Sequence, residues 1–131
     1  MAEQPGNLPV GRGARVLVID DDRTILDLIH AVLADEGFHV DTALSGDEAV
    51  NSPPYGVDLV VLDMFLPGLS GVELTDALRA KYGADLPILV TSASPVAREA
   101  HAIGAYEYLA KPFDLVDLVA AIRRGLDSAP Q

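Results

Sequence analysis

Val16-Leu17-Val18-Ile19, followed at once by Asp20-Asp21-Asp22, opens the patterned part of the chain. An apolar, mostly β-branched run with no polar face, led in by Arg15, reads as a strand buried on both sides. Outward from it the period changes. Ile25, Leu28, Ile29, Val32 and Leu33 recur at helical spacing, and Gly37 is placed to end that helix. The alternation then repeats. His39-Val40-Asp41-Thr42-Ala43 reads as a second strand, and 45–50 as a short helix cut off by Pro53-Pro54. Leu59-Val60-Val61-Leu62 is a third strand stopping at Asp63, and Val72, Leu74, Ala77 and Leu78 carry a helix ending at Gly83. Ile88-Leu89-Val90-Thr91 is the fourth strand, 96–103 a helix closed by Gly104, 106–110 the fifth strand, and Asp114 caps a last helix reaching about Leu126. Strand then helix, five times over, predicts a single α/β domain. Its form is a doubly wound (βα)5 unit whose five-stranded parallel sheet is covered on both faces. The domain is expected at 14–127. A leader rich in Gly, Pro and polar residues precedes it at 1–13, and a tail follows at 128–131.

Composition narrows the chemistry. The 131 residues suit one domain with a real core, and 50% apolar content argues against disorder throughout. With no cysteine, disulfides, thiolate metal sites and thiol nucleophiles are excluded. A net charge of −11 disfavours nucleic-acid and anionic membrane partners, which need cations to meet their phosphates. No apolar run approaches the ~20 residues of a spanning helix. The N-terminus lacks the basic and apolar regions of a secretion signal, so the expected compartment is the cytoplasm.

The polar residues fall where the apolar runs stop. The first strand ends in Asp20-Asp21-Asp22, the third in Asp63 and the fourth in Thr91-Ser92, while Lys111-Pro112 follows the fifth. In a parallel sheet all of these share one edge, the edge at which open α/β sheets bind ligands. Carboxylates gathered there resist ionising together, and a divalent cation relieves the repulsion. An all-oxygen donor set favours Mg²⁺, with Mn²⁺ allowed. Asp63 is then placed to attack a phosphorus and form an acyl phosphate. Lys111, the Ser92 hydroxyl and nearby N–H groups are placed to meet the phosphoryl oxygens.

Taken together, Val16-Leu17-Val18-Ile19-Asp20-Asp21-Asp22, Leu59-Val60-Val61-Leu62-Asp63-Met64-Phe65-Leu66-Pro67-Gly68, Ser92-Ala93 and Lys111-Pro112-Phe113 resemble the receiver domains of two-component response regulators. The resemblance covers about residues 14–127 and implies the flavodoxin-like three-layer sandwich of chemotaxis regulators. It implies that Asp63 accepts a phosphoryl group from a phosphohistidine on a sensor histidine kinase or a histidine phosphotransfer protein. It further implies that Asp21 ligates Mg²⁺ directly and that Asp20 acts through water or by orienting the site. Asp63 and the backbone carbonyl of Phe65 would supply further ligands. Ser92 would hold the phosphoryl group and Lys111 would pair with it. Ser92 would then move inward and Tyr108 would turn into the vacated space. This would reshape the face of the fourth helix, fifth strand and last helix for a downstream protein target, with a homodimer also allowed. The resemblance implies a cis Lys111-Pro112 bond. It implies a domain that promotes its own phosphorylation and is otherwise no enzyme.

The chain departs from the family pattern at three places. The stretch from Ser92 to Lys111 is a few residues short, Pro53-Pro54 trims the second helix, and Phe65 stands where a polar side chain would help position a hydrolytic water. The sequence fits both a stand-alone receiver and one taken from a longer protein. Three rival readings share the same residues. Asp20-Asp21-Asp22-Arg23-Thr24 also resembles the Asp-x-Asp-x-Thr motif of haloacid-dehalogenase-type phosphatases, with Asp20 as nucleophile and Asp22 as general acid. That reading lacks a second acidic pair after the lysine. The others are a phosphorylation-independent binding module and a flavin site, the last opposed by the missing phosphate loop. Singly, each residue has a plainer role. Asp22 would cap a helix, Phe113 and Tyr108 would be core aromatics, and His30, His39 and His101 would be structural. Arg123-Arg124 would complement a helix C-terminus.

Overall fold

The central strands form where the chain is apolar on both faces, because only a sheet covered on both sides buries every residue of such a run. The structure, a computed structural model, describes residues 13–51, 56–66 and 70–128. The elements are β1 (Arg15–Ile19), α1 (Arg23–Asp35), β2 (His39–Ala43), α2 (Gly46–Asn51), β3 (Leu59–Asp63), α3 (Gly71–Tyr82), β4 (Ile88–Ser92), α4 (Ala97–Ala102), β5 (Glu107–Ala110) and α5 (Leu115–Ser128). All neighbouring strands are parallel, in the order β2-β1-β3-β4-β5. The expected doubly wound (βα)5 sandwich is therefore what the chain forms.

Side-chain alternation splits the central strands between two cores. Leu17, Ile19, Val60, Leu62, Ile88 and Val90 pack with Ala49, Leu74, Leu78 and Ala100 of α2, α3 and α4. Val16, Val18, Leu59, Val61 and Leu89 pack on the other face with Leu26, Ile29 and Leu33 of α1 and Leu118, Ala121 and Ile122 of α5. Each helix end has a local cause. Asp22 caps α1 through Thr24 and Ile25 N–H, and Ser70 and Glu73 form a reciprocal capping box on α3. Gly104, at φ +73°, takes a turn that favours glycine just past α4. The Arg79 guanidinium donates there to the carbonyls of Ile103 (2.6 Å) and Gly104 (3.1 Å), tying α3 to the end of α4.

The structure refines several of these readings. Leu28 stands 53% exposed and Leu26 takes its place in the core, because α1 is apolar over an arc wider than its buried stripe. Val72 is 54% exposed, and Thr75 is buried instead, its hydroxyl satisfied by the carbonyls of Gly71 and Val72. Tyr106 lies before β5 rather than in it, and its hydroxyl donates to the carbonyl of Ala121 on α5 at 2.7 Å. Arg123 and Arg124 pair with the carboxylates of Glu36 and Glu107. The helix expected at 96–103 is shorter by one residue at each end, and α5 runs past Leu126. His30, His39 and His101 are exposed. Except for Gly13 and Ser128, the leader and tail fall outside the described residues, as do Pro53-Pro54 and Pro67-Gly68.

Candidate functional site

Strand register brings the polar residues together. Ile19 pairs with Leu62, so Asp20 and Asp63 leave the same sheet edge side by side. Asp63 pairs with Thr91, and Ser92 pairs with Ala110, the residue before Lys111. The Lys111 ammonium lies 2.7 Å from Asp20 Oδ2 and 3.4 Å from Asp63 Oδ2, and so bridges the two carboxylates. Asp20, Asp63 and Ser92 are buried, and Asp21 is exposed beside them.

Further polar contacts surround them. Asp20 Oδ1 accepts from Asp22 N–H at 2.9 Å, and Asp63 Oδ1 from Phe65 N–H at 3.3 Å. Ser92 Oγ accepts from Ser94 N–H, and the Ser94 carbonyl in turn accepts from the Tyr108 hydroxyl, each at 3.1 Å. The Phe65 side chain is 59% exposed at the rim. Lys111-Pro112 is cis, as the resemblance implied.

Burial pushes the Asp63 carboxyl above the usual carboxylate range. Lys111 pulls against that shift, and the charge of Asp20 adds to it. For Lys111, burial works to lower the ammonium, but the hydrogen bond and charge of Asp20 and the contact with Asp63 outweigh it, so it stands above the ordinary lysine value. Asp63 is thus costly to keep ionised where it stands, and Lys111 remains a cation.

Asp20, Asp21 and Asp63 each offer one carboxylate oxygen, and the three lie within 4.8 Å of one another. A hard, all-oxygen set of this size fits Mg²⁺ completed by water and phosphate oxygens. Ser94 was missed as a link between Ser92 and Tyr108. So was Asp22 N–H as a partner of Asp20, because main-chain donors leave no mark in residue identity. Asp22 Oδ1 caps the first turn of α1, a helix-capping role that disfavours the reading of Asp22 as the general acid of a phosphatase.

Residues 16–123 match the family model described as Response regulator receiver domain. The chain belongs to that family. Among curated relatives, this receiver is 40% identical over 123 residues to the alkaline phosphatase synthesis transcriptional regulatory protein SphR of Synechococcus elongatus, covering 84% of this chain and 48% of that protein. It is 42% identical over 113 residues to the transcriptional regulatory protein PrrA of Mycobacterium leprae, covering 83% and 48%. The chain spans about half the length of the curated relatives it matches. Among solved structures, the Vibrio cholerae chemotaxis protein CheY4 superposes with a TM-score of 0.78 at 31% identity, covering 87% of this chain and 99% of that one. The CheY-like receiver from Methanospirillum hungatei gives 0.77 at 26% identity, covering 88% and 94%. The receiver is a signalling domain of two-component systems. Among the described residues, no helix is long and apolar enough to cross a membrane.

Proposed function

We propose that Asp63 takes a phosphoryl group from a phosphohistidine and that the resulting acyl phosphate switches a protein-binding face. The observation that carries this is the Lys111 ammonium held between Asp20 and Asp63, a fixed cation beside a carboxylate whose ionised form is raised in energy by burial. An Asp63 oxygen bonds to phosphorus as the histidine N–P bond breaks, and the imidazole leaves with that electron pair. Lys111 stays a cation throughout and pairs with a phosphoryl oxygen, and the Ser92 hydroxyl receives a second. Asp20, Asp21, Asp63 and the Phe65 carbonyl would hold Mg²⁺, which when bound neutralises the clustered carboxylates and the phosphoryl oxygens. Drawing Ser92 Oγ toward the phosphoryl group takes it from Ser94 N–H, and the loop that anchors the Tyr108 hydroxyl is released. Ser92 and Tyr108 are the switch in this reading.

Two surfaces follow. Ile25, Leu28 and Ile29 of α1 with Ala93, Pro112, Phe113 and Leu115 line an apolar groove of about 330 Å³ that reaches Lys111. This groove suits a histidine kinase or phosphotransfer protein that must bring its histidine to Asp63. The face of α4, β5 and α5, with Tyr108 on it, is the output surface for a downstream protein or a second copy. The receiver boundaries in this reading are 14–127. Its compartment is the cytoplasm, in line with a chain free of cysteine.

The test is intact mass after incubation with Mg²⁺ and a small acyl-phosphate donor. One phosphoryl adduct, lost in Asp63→Asn and much reduced in Asp20→Asn, is the expected result. An adduct that persists in Asp63→Asn would move the acceptor elsewhere, and no adduct under any condition would favour a phosphorylation-independent binding module.

A further inference from the structure

Asp20 has both oxygens engaged: Oδ2 by the Lys111 ammonium at 2.7 Å and Oδ1 by the backbone N–H of Asp22 at 2.9 Å. That N–H is itself aimed. Asp22 is the N-cap of α1, with φ −94° and ψ 104°, and its Oδ1 accepts from Thr24 N–H at 3.0 Å and Ile25 N–H at 3.3 Å. Its carbonyl accepts from Leu26 N–H at 3.0 Å. The three-aspartate turn is therefore pinned at both ends. Asp20 is fixed to the sheet edge through Lys111, and Asp22 is fixed to the helix through its own side chain. Asp21 lies between these anchors, exposed, with one carboxylate oxygen within 4.8 Å of oxygens from Asp20 and Asp63.

We infer that Asp22 is a positioning residue whose capping of α1 holds the Asp20 and Asp21 carboxylates in the arrangement that takes a divalent cation. It does so without touching the cation. The inference rests on the reading of this carboxylate cluster as a Mg²⁺ site. Losing the cap frees the turn to rotate about Asp21, so Asp20 loses its N–H donor and the oxygens spread. A side chain that caps equally well without a charge keeps the arrangement. Cap geometry and carboxylate charge thus predict opposite results for Asp22→Asn, because Asn and Asp are equivalent N-caps.

The experiment titrates the ¹⁵N-labelled full chain with MgCl₂ and follows amide shifts near Asp20 and Asp63, with far-UV circular dichroism as a control for folding. Asp22→Ala should bind Mg²⁺ about tenfold more weakly, the usual scale for removing a support behind metal ligands. Asp22→Asn should bind nearly as well as wild type. If Asp22→Ala does not fold, Asp22→Gly, which N-cap positions tolerate, replaces it, with a smaller expected loss of about a few-fold because glycine keeps part of the cap. Unchanged affinity in the Ala or Gly variant would overturn the inference. Equal loss in Asn and Ala would overturn it too, by showing that only the third charge matters. A wild-type chain with no saturable response would remove the metal site itself, a failure separable from that of Asp22.

Discussion

At the scale of single residues, Asp63 sets function against stability. Its carboxyl is raised chiefly by burial, so the folded chain holds this proton more tightly than the unfolded chain does. The cost of the ionised form is thus present at neutral pH. It disappears as the pH falls through the raised folded value toward the ordinary carboxylate one. In metal-free buffer Asp63→Asn should therefore melt a few degrees above wild type at pH 7, and the gain should shrink on acidification. Differential scanning calorimetry across that range checks it, and a variant less stable at pH 7 would show that Lys111 more than compensates the buried charge. Phe65 bears on the other end of the cycle. Its exposed ring at the rim offers no hydrogen bond to a hydrolytic water, so phosphorylated protein should lose its phosphoryl group slowly. Phe65→Asn should shorten that lifetime several-fold, as followed by intact mass against time, and an unchanged lifetime would place the control of hydrolysis elsewhere.

At the scale of elements, α5 is fitted to the lead-in of β5 by shape. A Cβ at Gly125 would overlap the Tyr106 ring, whose hydroxyl donates to Ala121 one turn earlier. In an exposed helix interior, Gly→Ala stabilises by about 1 kcal/mol. Here the sign should reverse. Gly125→Ala should cost about 1–3 kcal/mol in urea unfolding, because the ring must leave its seat. The same change in a Tyr106→Ala background should be neutral or favourable, and additive effects in this double-mutant cycle would refute the fit. No local pattern announces such a contact, since it depends on register between segments 19 residues apart. What was legible has a local cause. The central strands show because their apolar runs have no polar face, and the candidate site shows because four of the five strands lead into a carboxylate, a hydroxyl or an ammonium: Asp20, Asp63, Ser92 and Lys111. Leu28 shows the boundary of that method. The stripe of Ile25, Leu28, Ile29, Val32 and Leu33 is a coherent helical face, yet α1 buries Leu26 and leaves Leu28 outside. Periodicity finds an apolar arc and does not say which edge of it faces the sheet.

At the scale of the whole molecule, the exposed Leu28 bears on the proposed docking of a protein donor. The sheet brings the clustered polar residues to one edge, and in the proposed reading a protein donor approaches that edge with its histidine directed at Asp63. On the α1 side the approach is paved by Ile25, Leu28, Ile29, Pro112, Phe113 and Leu115, and the groove reaches Lys111 itself. In the same reading, small acyl-phosphate donors need none of this surface, because they would reach Asp63 by diffusion alone. The two donor classes therefore separate docking from chemistry. Leu28 is more than half exposed in the free chain, so Leu28→Lys should change stability by no more than about 0.5 kcal/mol. On docking, only the exposed half of the leucine is left to bury, worth roughly 0.8–1.6 kcal/mol, which converts to about 4–15-fold in affinity once it is lost. A buried lysine would add a desolvation cost. Leu28→Lys should accordingly slow phosphoryl transfer from a histidine phosphotransfer protein that phosphorylates the wild-type chain by at least about fourfold. Its labelling by the small donor should be unchanged, both rates being read as intact mass against time. Equal slowing with both donors would mean that the substitution disturbs Lys111 and the site. No slowing with either would put the protein donor on another face of the sheet edge, leaving Phe65 and the β3–α3 side as the surface to test next.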